Sequence, residues 1–474
     1  MNQLGRKFVL PATIAASSLL AIYIAVSRPG YFNNLDSLAA LCFLEFLLVV
    51  IWHYRILFFP LLLAVFLWAG MVLPLTGVWT SGRWFVLAAG ALVGLLIYLR
   101  EHQQRLGLFH LVALSCVITA LVSAAVSAYP NMTLLKAMSL LLLFLYGSTG
   151  ARLAVLGREA IFFSRLLLGC ELVVYITALA YFGFRFPIFG NPNSLGAVMG
   201  VVAVPVLLWG KFTSTRTLVR RRLTFALVLG LALLFSSYAR AGIAAAVVSC
   251  VVLCIALRQY GTLLRGAVFA LLLAALVMTT IPFHEQPSGS LTTIFVYKGR
   301  QEDGVLASRR PAWDETVSAI QSHLWFGNGF GISQTSREVV EQSRSFESLR
   351  DTTREHGNSY LALTEWVGLL GDIPFLALLL MIVGNVGRAL AEMRRTGNIF
   401  SPAVPLAGVL FAGLVHAAFE DWLFAPGYYL CVFFWALAFI MADIVRPAVP
   451  SVAPAVKSVK QAWATNFGLA TITR

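Results

Sequence analysis

Long apolar segments follow one another along most of the chain, and short polar breaks with Arg, Pro, Gly or Asn separate them. A helix needs about 20 apolar residues to cross a bilayer. Fourteen segments approach this length, at about 8–26, 35–51, 56–78, 84–99, 108–128, 133–155, 161–182, 194–210, 223–235, 241–257, 265–281, 359–384, 403–418 and 427–445. The pattern predicts an all-α fold, a polytopic membrane bundle of about 12 to 14 transmembrane helices, since two segments are short.

The composition supports this class of protein. Hydrophobic residues make up 59% of the chain and charged residues 12%, which excludes an ordinary soluble globule. All six cysteines fall inside apolar segments, so neither a disulfide framework nor a thiolate metal site is expected.

The positions of the basic residues orient the predicted bundle, because Lys and Arg are retained in cytoplasmic loops. With the amino terminus inside, 22 of the 35 basic residues fall in inner segments and 8 in one long outer loop. The short outer segments hold only Arg28, Arg83, Lys136, Arg185 and Arg240. We therefore expect both termini in the cytoplasm, and we attribute the net charge of +14 to topology and anionic lipid, with no nucleic-acid partner.

These patterns divide the chain into four regions. We expect a transmembrane bundle at 1–281, an outer loop at 282–358, further transmembrane helices at 359–445 and a disordered cytoplasmic tail at 446–474. The loop contains PAWDETVSAIQS, with Pro311 suited to a first helical position, and Asp314 and Glu315 in the first turn. Trp313, Val317 and Ile320 share one face, which predicts an amphipathic helix on the outer membrane surface.

Arginines precede helix starts on the predicted outer side. They are Arg185 before GNPNSLG (with Asn191, Pro192 and Asn193), Arg240 in SSYARAGIAA, and Arg309 and Arg310 before the loop helix. Guanidinium groups beside the free N–H groups of a helix amino terminus favour phosphate or another anion. The alternative is that Arg185 and Arg240 extend to lipid headgroups.

A polar cluster opens the span after the loop, in HGNSYLALTEWVGLLG at 356–371. His356 and Asn358 lie on the same predicted side as the arginines, so His356 is a candidate for proton transfer. The alternative is a hydrogen-bonded structural histidine that caps the helix. Glu365 is the reserve candidate for the base, with a packing role as its alternative, and Thr364, Gly368 and Gly371 form a stripe that permits close helix packing.

The order of four motifs carries a family resemblance. FGNPNSLG, SSYARAG, ASRRPAW followed by WFGNGFG, and HGNSYLALTEWVGLLG resemble the O-antigen ligase and polymerase superfamily of bacterial envelopes, over about 183–371. The resemblance implies a multi-pass inner-membrane enzyme with a long periplasmic loop. It also implies transfer of glycan from undecaprenyl diphosphate onto a sugar hydroxyl at the periplasmic face, without a nucleotide sugar, cofactor or required metal.

The resemblance also implies roles for single residues. Arg309 matches the arginine four residues before the loop tryptophan, Trp313, with Arg310 as a close competitor. Arg240 and His356 match the family arginine and histidine, and Asn358 matches the asparagine beside that histidine. The arginines would hold the lipid diphosphate, and His356 would act on the acceptor hydroxyl or the reacting phosphate.

The loop is shorter and the candidate spans are more numerous than in many ligases, which favours polymerisation of a lipid-linked exopolysaccharide or O-antigen repeat. The expected partners are a lipid-linked glycan donor, a glycan or lipid-anchored sugar acceptor, membrane lipid and envelope polysaccharide assembly proteins.

Two other classes remain open at this level. A secondary transporter would also be a large bundle with buried charges such as Glu45, Glu171 and Glu365, but it normally shows internal repeats and polar groups at the midplane. A non-catalytic assembly component that binds lipid-linked glycan would keep the arginines without needing His356.

The charge-derived topology is directly testable. A cysteine introduced at Ser336 should react with an impermeant thiol reagent applied from outside, and one at Ser214 should not. The reverse pattern would place the arginines in the cytoplasm and contradict the orientation.

Overall fold

The computed structural model describes residues 55–74, 76–101, 106–280, 309–333 and 354–445. The predicted spans at 8–26 and 35–51, much of the loop, and the tail lie outside these ranges. In chain order the helices are α1 (Arg55–Ala69), α2 (Thr76–Glu101), α3 (Leu108–Ala125), α4 (Pro130–Val155), α5 (Glu159–Gly183), α6 (Pro192–Thr213), α7 (Thr217–Ser236), α8 (Arg240–Ala256), α9 (Tyr260–Thr280), α10 (Arg310–Ser322), α11 (Ser359–Thr396), α12 (Ala403–Ala417) and α13 (Tyr429–Ile444).

The all-α membrane fold is confirmed. No strand occurs in the described ranges, and every span predicted within them coincides with a helix. Six of the described helices are long and apolar enough to cross a membrane, as judged by length and composition, and four more are shorter apolar helices. Three predicted segments lie in helices that are longer than expected: 84–99 belongs to α2, which begins at Thr76, 223–235 to α7, which begins at Thr217, and 359–384 to α11, which ends at Thr396. The segment 56–78 was predicted too long, because α1 ends at Ala69.

Helix α13 forms the centre of the described bundle. Every residue from Tyr429 to Ala442 is buried, as expected for a helix that is apolar on all sides. Its Trp435 ring packs against Phe144 of α4 at 4.8 Å between centroids, and its indole N–H donates to the Leu423 carbonyl at 2.7 Å. The turn before α13 is therefore fixed to the core.

Consecutive helices alternate in direction, so one set of turns gathers at one end of the bundle. We call this end the site end; it is formed by residues 126–129, 184–191, 237–239, 323–333, 354–358 and 418–428. Contacts between these turns and neighbouring helices hold it together: Phe330 N–H donates to Ser123 Oγ of α3 at 2.9 Å, and Arg83 Nη1 of α2 donates to the Gly427 carbonyl at 2.6 Å.

Ion pairs fasten the opposite end. Arg152 of α4 pairs with Asp443 of α13, and both side chains are nearly buried. Arg222 of α7 pairs with Glu171 of α5 at 2.9 Å. Removing one partner of a buried pair leaves an uncompensated charge, so the Arg152–Asp443 pair holds α4 next to α13, whereas Arg222 is half exposed and its pair with Glu171 contributes less.

The structure sharpens the labelling experiment. Ser336 lies outside the described residues, and Ser214 is buried, so a cysteine at Ser214 would resist reagent from either side. Arg216, two residues later, is exposed at the end opposite the site end and is the better inner position.

The loop helix α10 exists, but it differs from the prediction in its start. It begins at Arg310, with Pro311 in its first turn as expected. Because of this earlier start, Asp314 and Glu315 lie beyond the first turn, which contains no acidic residue. No acidic side chain in the first turn of α10 therefore offsets the partial positive charge of the helix amino terminus.

The buried face of α10 also differs from the predicted apolar face. Thr316 is fully buried, whereas Val317 is 40% exposed. Thr316 Oγ1 accepts a hydrogen bond from Arg354 at 3.1 Å, so α10 packs against a polar cluster beside α11. Polar contacts, which hydrophobic periodicity does not register, orient this helix.

Helix α11 is broken at Gly368, whose φ of 70° and ψ of 175° lie outside the helical range. The loop after α10 fills the break. Four backbone hydrogen bonds join the two: Asn328 N to Glu365 O (2.9 Å), Gly329 N to Trp366 O (2.9 Å), Leu369 N to Leu324 O (2.9 Å) and Leu370 N to Trp325 O (3.2 Å). The glycine turn WFGNGFG thus approaches a helix closely, as its sequence predicts.

The predicted small-residue stripe needs correction at the same place. Gly368 interrupts the helix and contacts the loop backbone at Trp325 and Phe326, so Thr364, Gly368 and Gly371 do not form one continuous helical stripe. Gly371 alone packs on a neighbouring helix, next to Thr119 of α3.

We expect Gly368→Ala to destabilise the protein strongly. An alanine there would adopt an unfavourable positive φ, which costs about 1–3 kcal/mol, and its Cβ would meet the loop backbone. Gly384→Ala on the same helix is the matched control, since no other group lies within 4 Å of its added Cβ. The melting temperature in detergent should fall strongly for Gly368→Ala and should not change for Gly384→Ala. Equal stability of the two variants would contradict the break in α11.

Candidate active site

His356 lies at the centre of a buried polar cluster at the site end. The residue is 1% exposed. Its backbone N–H donates to Asp421 Oδ2 at 2.9 Å, and Nδ1 lies 3.1 Å from the same oxygen. On the other side of the ring, Nε2 lies 2.9 Å from Ser333 Oγ and 3.2 Å from Glu365 Oε2. The Trp366 ring packs edge-on against the imidazole at 5.6 Å.

The two carboxylates determine the charge of the histidine. Burial lowers the pKa of His356, but hydrogen bonds to Asp421 and Glu365, with their negative charges, outweigh burial and raise it above its ordinary value. Burial raises the pKa of Asp421, whereas the hydrogen bonds from His356 outweigh it and hold that pKa below its ordinary value. The two carboxylates therefore stabilise the protonated ring, which donates on both sides, relative to the neutral ring.

Glu365 is the most deeply buried carboxylate of the cluster, with no exposed side-chain surface. Its Oε2 accepts from Arg354, which also pairs with Glu315 at 3.1 Å. Its Oε1 has no hydrogen-bond partner among the described residues. One oxygen of Glu365 thus carries the structural contacts, and the other is available to a ligand or a proton.

Arg309 stands beside this cluster as the N-cap residue of α10. Its Nη1 donates to Glu355 at 3.1 Å, its Nη2 donates to Glu420, and its side chain is 15% exposed. Gly357 has a φ of 62°, and a Cβ there would lie 2.8 Å from Arg309 Nη1. A side chain at position 357 would be strained and would collide with the guanidinium of Arg309, so this position requires glycine.

The other predicted arginines fall into two groups. Arg240 and Arg309 lie close enough for their like charges to interact, although they are 69 positions apart. Arg310 and Arg185 are both exposed, and Arg185 has a φ of 53°. The structure thus brings Arg240 to Arg309 and leaves Arg185 and Arg310 at the surface.

The predicted asparagines serve the helix starts. Asn191 caps α6, with its Oδ1 accepting from Asn193 N–H at 2.8 Å, as predicted. Asn358 caps α11, because its Oδ1 accepts from the N–H groups of Tyr360 and Leu361. The residue that caps the amino terminus of α11 is thus Asn358 and not His356.

Trp313 contributes to the same junction, since its indole N–H donates to the Gly357 carbonyl at 3.2 Å. Two further basic residues on the predicted outer side, Arg83 and Lys136, donate to backbone carbonyls and help fix the turns.

Sequence reasoning missed the acidic partners of the site. Glu420 and Asp421 lie in AFEDW, in the turn between α12 and α13, and Arg354 precedes His356 by two residues. Two adjacent acidic residues in a short outer turn of a chain with only 21 acidic residues were a usable signal. No group of three or more His, Cys, Asp or Glu side chains in the described ranges is arranged to hold a metal ion.

Together, the helices and this cluster define a multi-pass helical membrane protein whose ionisable groups converge at one end of the bundle. Residues 225–363 match the family model described as O-antigen ligase, which confirms the resemblance to the O-antigen ligase and polymerase superfamily. The match supports a membrane enzyme of glycan transfer in the bacterial inner membrane. A search of curated proteins found no match.

The matched range includes most of the candidate residues. Those inside it are Arg240, Arg309, Arg310, Trp313, His356 and Asn358; those outside it are Arg185, Asn191, Asn193 and Glu365.

The coupling of His356 to its carboxylates predicts a pH-dependent stability. The contribution of His356 is complete below its unfolded pKa and is lost as pH rises through its raised folded pKa. That of Asp421 is complete above its unfolded pKa and is lost as pH falls through its depressed folded pKa. The difference in melting temperature between wild type and His356→Gln should therefore be largest between about pH 4 and 6.5 and shrink at higher pH.

His323→Gln is the matched control for this measurement, because His323 is exposed. Its melting temperature should follow that of the wild type at every pH. A pH-independent difference for His356→Gln would show that the ring is not held by the two carboxylates.

Proposed function

We propose that this protein transfers glycan from an undecaprenyl diphosphate-linked donor to a sugar hydroxyl, and that it polymerises lipid-linked repeats of an exopolysaccharide or O-antigen. The observation that supports this most strongly is the arrangement at the site end. A buried histidine held between two carboxylates lies beside a pair of arginines drawn from separate parts of the chain.

The arginines are suited to the leaving group. Attack of a hydroxyl on the anomeric carbon breaks the bond to the diphosphate, on which negative charge accumulates. Arg309 already donates to carboxylate oxygens of Glu420 and Glu355, so its guanidinium is oriented to donate to anionic oxygens. Fixed donors of this kind stabilise developing charge without reorganising.

The histidine cluster is suited to the acceptor. As the new glycosidic bond forms, the hydroxyl proton must leave, and His356 Nε2 or Glu365 Oε1 can take it. His356 can do so only in its neutral form, since a protonated ring has no lone pair. Asp421 then fixes the ring orientation through Nδ1, and the undecaprenyl diphosphate departs with the electron pair of the broken bond.

The same proposal assigns the site end to the periplasmic face. The opposite end carries the basic residues of the inner segments, among them Arg152, Arg158, Lys211, Arg216 and Arg258. Under the positive-inside rule that end faces the cytoplasm, and the site meets a donor lipid that has been flipped across the membrane.

Chain growth from a purified lipid diphosphate-linked repeat, measured on a gel, tests the proposal. Arg309→Ala should reduce turnover on the order of 10²–10³-fold, because a fixed donor to the leaving group is lost. Arg309→Lys should also impair turnover, because it keeps the charge but loses the planar fork. Arg395→Lys, at an exposed pair of the opposite end, is the matched control and should retain activity.

His356→Gln tests the proton transfer. Because His356 is buried between charged groups, an alanine would combine loss of stability with loss of chemistry, whereas glutamine keeps the volume and hydrogen bonding but cannot accept a proton. Transfer should fall roughly 10²–10⁴-fold while donor binding persists. Wild-type protein that binds donor without extending it would indicate a non-catalytic assembly component instead.

A further inference from the structure

His416 is a second buried histidine at the site end, one residue before the end of α12, and it is 2% exposed. Its Nδ1 lies 2.8 Å from the indole Nε1 of Trp422. An indole N–H can only donate, so Nδ1 of His416 must be the acceptor. The ring is therefore neutral, and its single proton is on Nε2.

That Nε2–H group has no hydrogen-bond partner among the described residues. A buried donor without an acceptor is destabilising, so native structures retain few of them. The ring cannot turn over to relieve this cost, because it would lose the bond from Trp422. The hydrogen bond from Trp422 thus fixes the orientation of the His416 ring and of its unsatisfied Nε2–H group.

The location of His416 suggests an acceptor. On the facing helices α8 and α12, Ser249 Oγ donates to the Gly408 carbonyl, which shows that these two positions lie opposite each other. His416 lies eight residues beyond Gly408, and Arg240 nine residues from Ser249, both toward the site end. At 1.5 Å per residue these are about 12 and 13.5 Å along the two helices, so the backbones of the two residues are at nearly the same level. Arg309 also lies close enough for its charge to act on His416.

We propose that His416 is a third donor to the anion held by Arg240 and Arg309, with its Nε2–H bound to an oxygen of the donor diphosphate. This inference rests on the proposed function, and it adds a neutral donor to two cationic ones. An anionic oxygen is the acceptor that the unpartnered N–H lacks. In this role His416 contacts the leaving group and has no part in moving the proton of the acceptor.

Two substitutions separate this role from a structural one. His416→Asn keeps an acceptor near the position of Nδ1 for Trp422 but removes the Nε2 donor. His416→Gln keeps a donor near Nε2 but leaves the indole N–H of Trp422 without an acceptor. Affinity for undecaprenyl diphosphate in detergent micelles and thermal unfolding are measured for both variants. Ser249→Ala, at the same helix pair but away from the site, is the control.

We expect the two variants to rank in opposite orders for affinity and for thermal stability. His416→Asn should bind undecaprenyl diphosphate roughly 10- to 100-fold more weakly while remaining the more stable variant. His416→Gln should be the less stable variant but retain most of the affinity. The Km for the donor should follow the binding affinities, and Ser249→Ala should leave binding unchanged.

Other outcomes distinguish the two proposals. If binding follows stability, so that the asparagine variant binds like the wild type, His416 only supports Trp422 and the inference is wrong. If the wild type does not bind undecaprenyl diphosphate, or if Arg309→Ala leaves its binding unchanged, the proposed function fails and the role of His416 fails with it.

Discussion

The cluster at the site end depends on the burial of one carboxylate. Glu365 has no exposed surface, and an ionised carboxylate removed from water needs charge and hydrogen-bond donors nearby. Both groups that supply them, Arg354 and His356, come from the chain immediately before α11. The end of the loop must therefore fold onto the helix to supply this buried carboxylate with donors and positive charge. This requirement also places His356 against Asp421, whose turn connects α12 to α13.

The break in α11 gives the same residue a second function. In a continuous helix, the carbonyls of Glu365 and Trp366 would accept from amides of the following turn; here they accept from Asn328 and Gly329 of the loop. Glu365 thus binds the first half of the loop through its backbone and the second half through its carboxylate. The two described parts of the loop, 309–333 and 354–358, converge on one residue although they are separated in sequence. Ser333 and His356, one from each part, are brought into contact as a result.

The sequence predicted the features that depend on local pattern. Apolar length predicted the helices, the Asn191–Pro192 pair predicted the start of α6, and the glycines of WFGNGFG predicted a close backbone approach. It did not predict the break at Gly368, because a glycine within an apolar span looks the same whether it packs against a helix or interrupts one. It also missed Glu420 and Asp421, since their partners are 111 and 65 positions away and no periodicity connects them. The sequence predicted that arginines form the proposed site. Which of the four candidate arginines lie together became clear only from the fold.

The carboxylates at Arg309 also bear on which anions the site could select. Glu420 and Glu355 already pair with this guanidinium, so an anionic ligand competes with these carboxylates for Arg309. A singly charged headgroup would exchange one contact for another and gain little. A diphosphate carries anionic oxygens on two phosphoryl groups, which can engage Arg309 and Arg240 together. Competition from Glu420 would also assist release, because the carboxylate can return to Arg309 as the spent lipid diphosphate leaves. On the proposed function, the acidic residues that pair with the arginines therefore contribute to both selectivity and turnover.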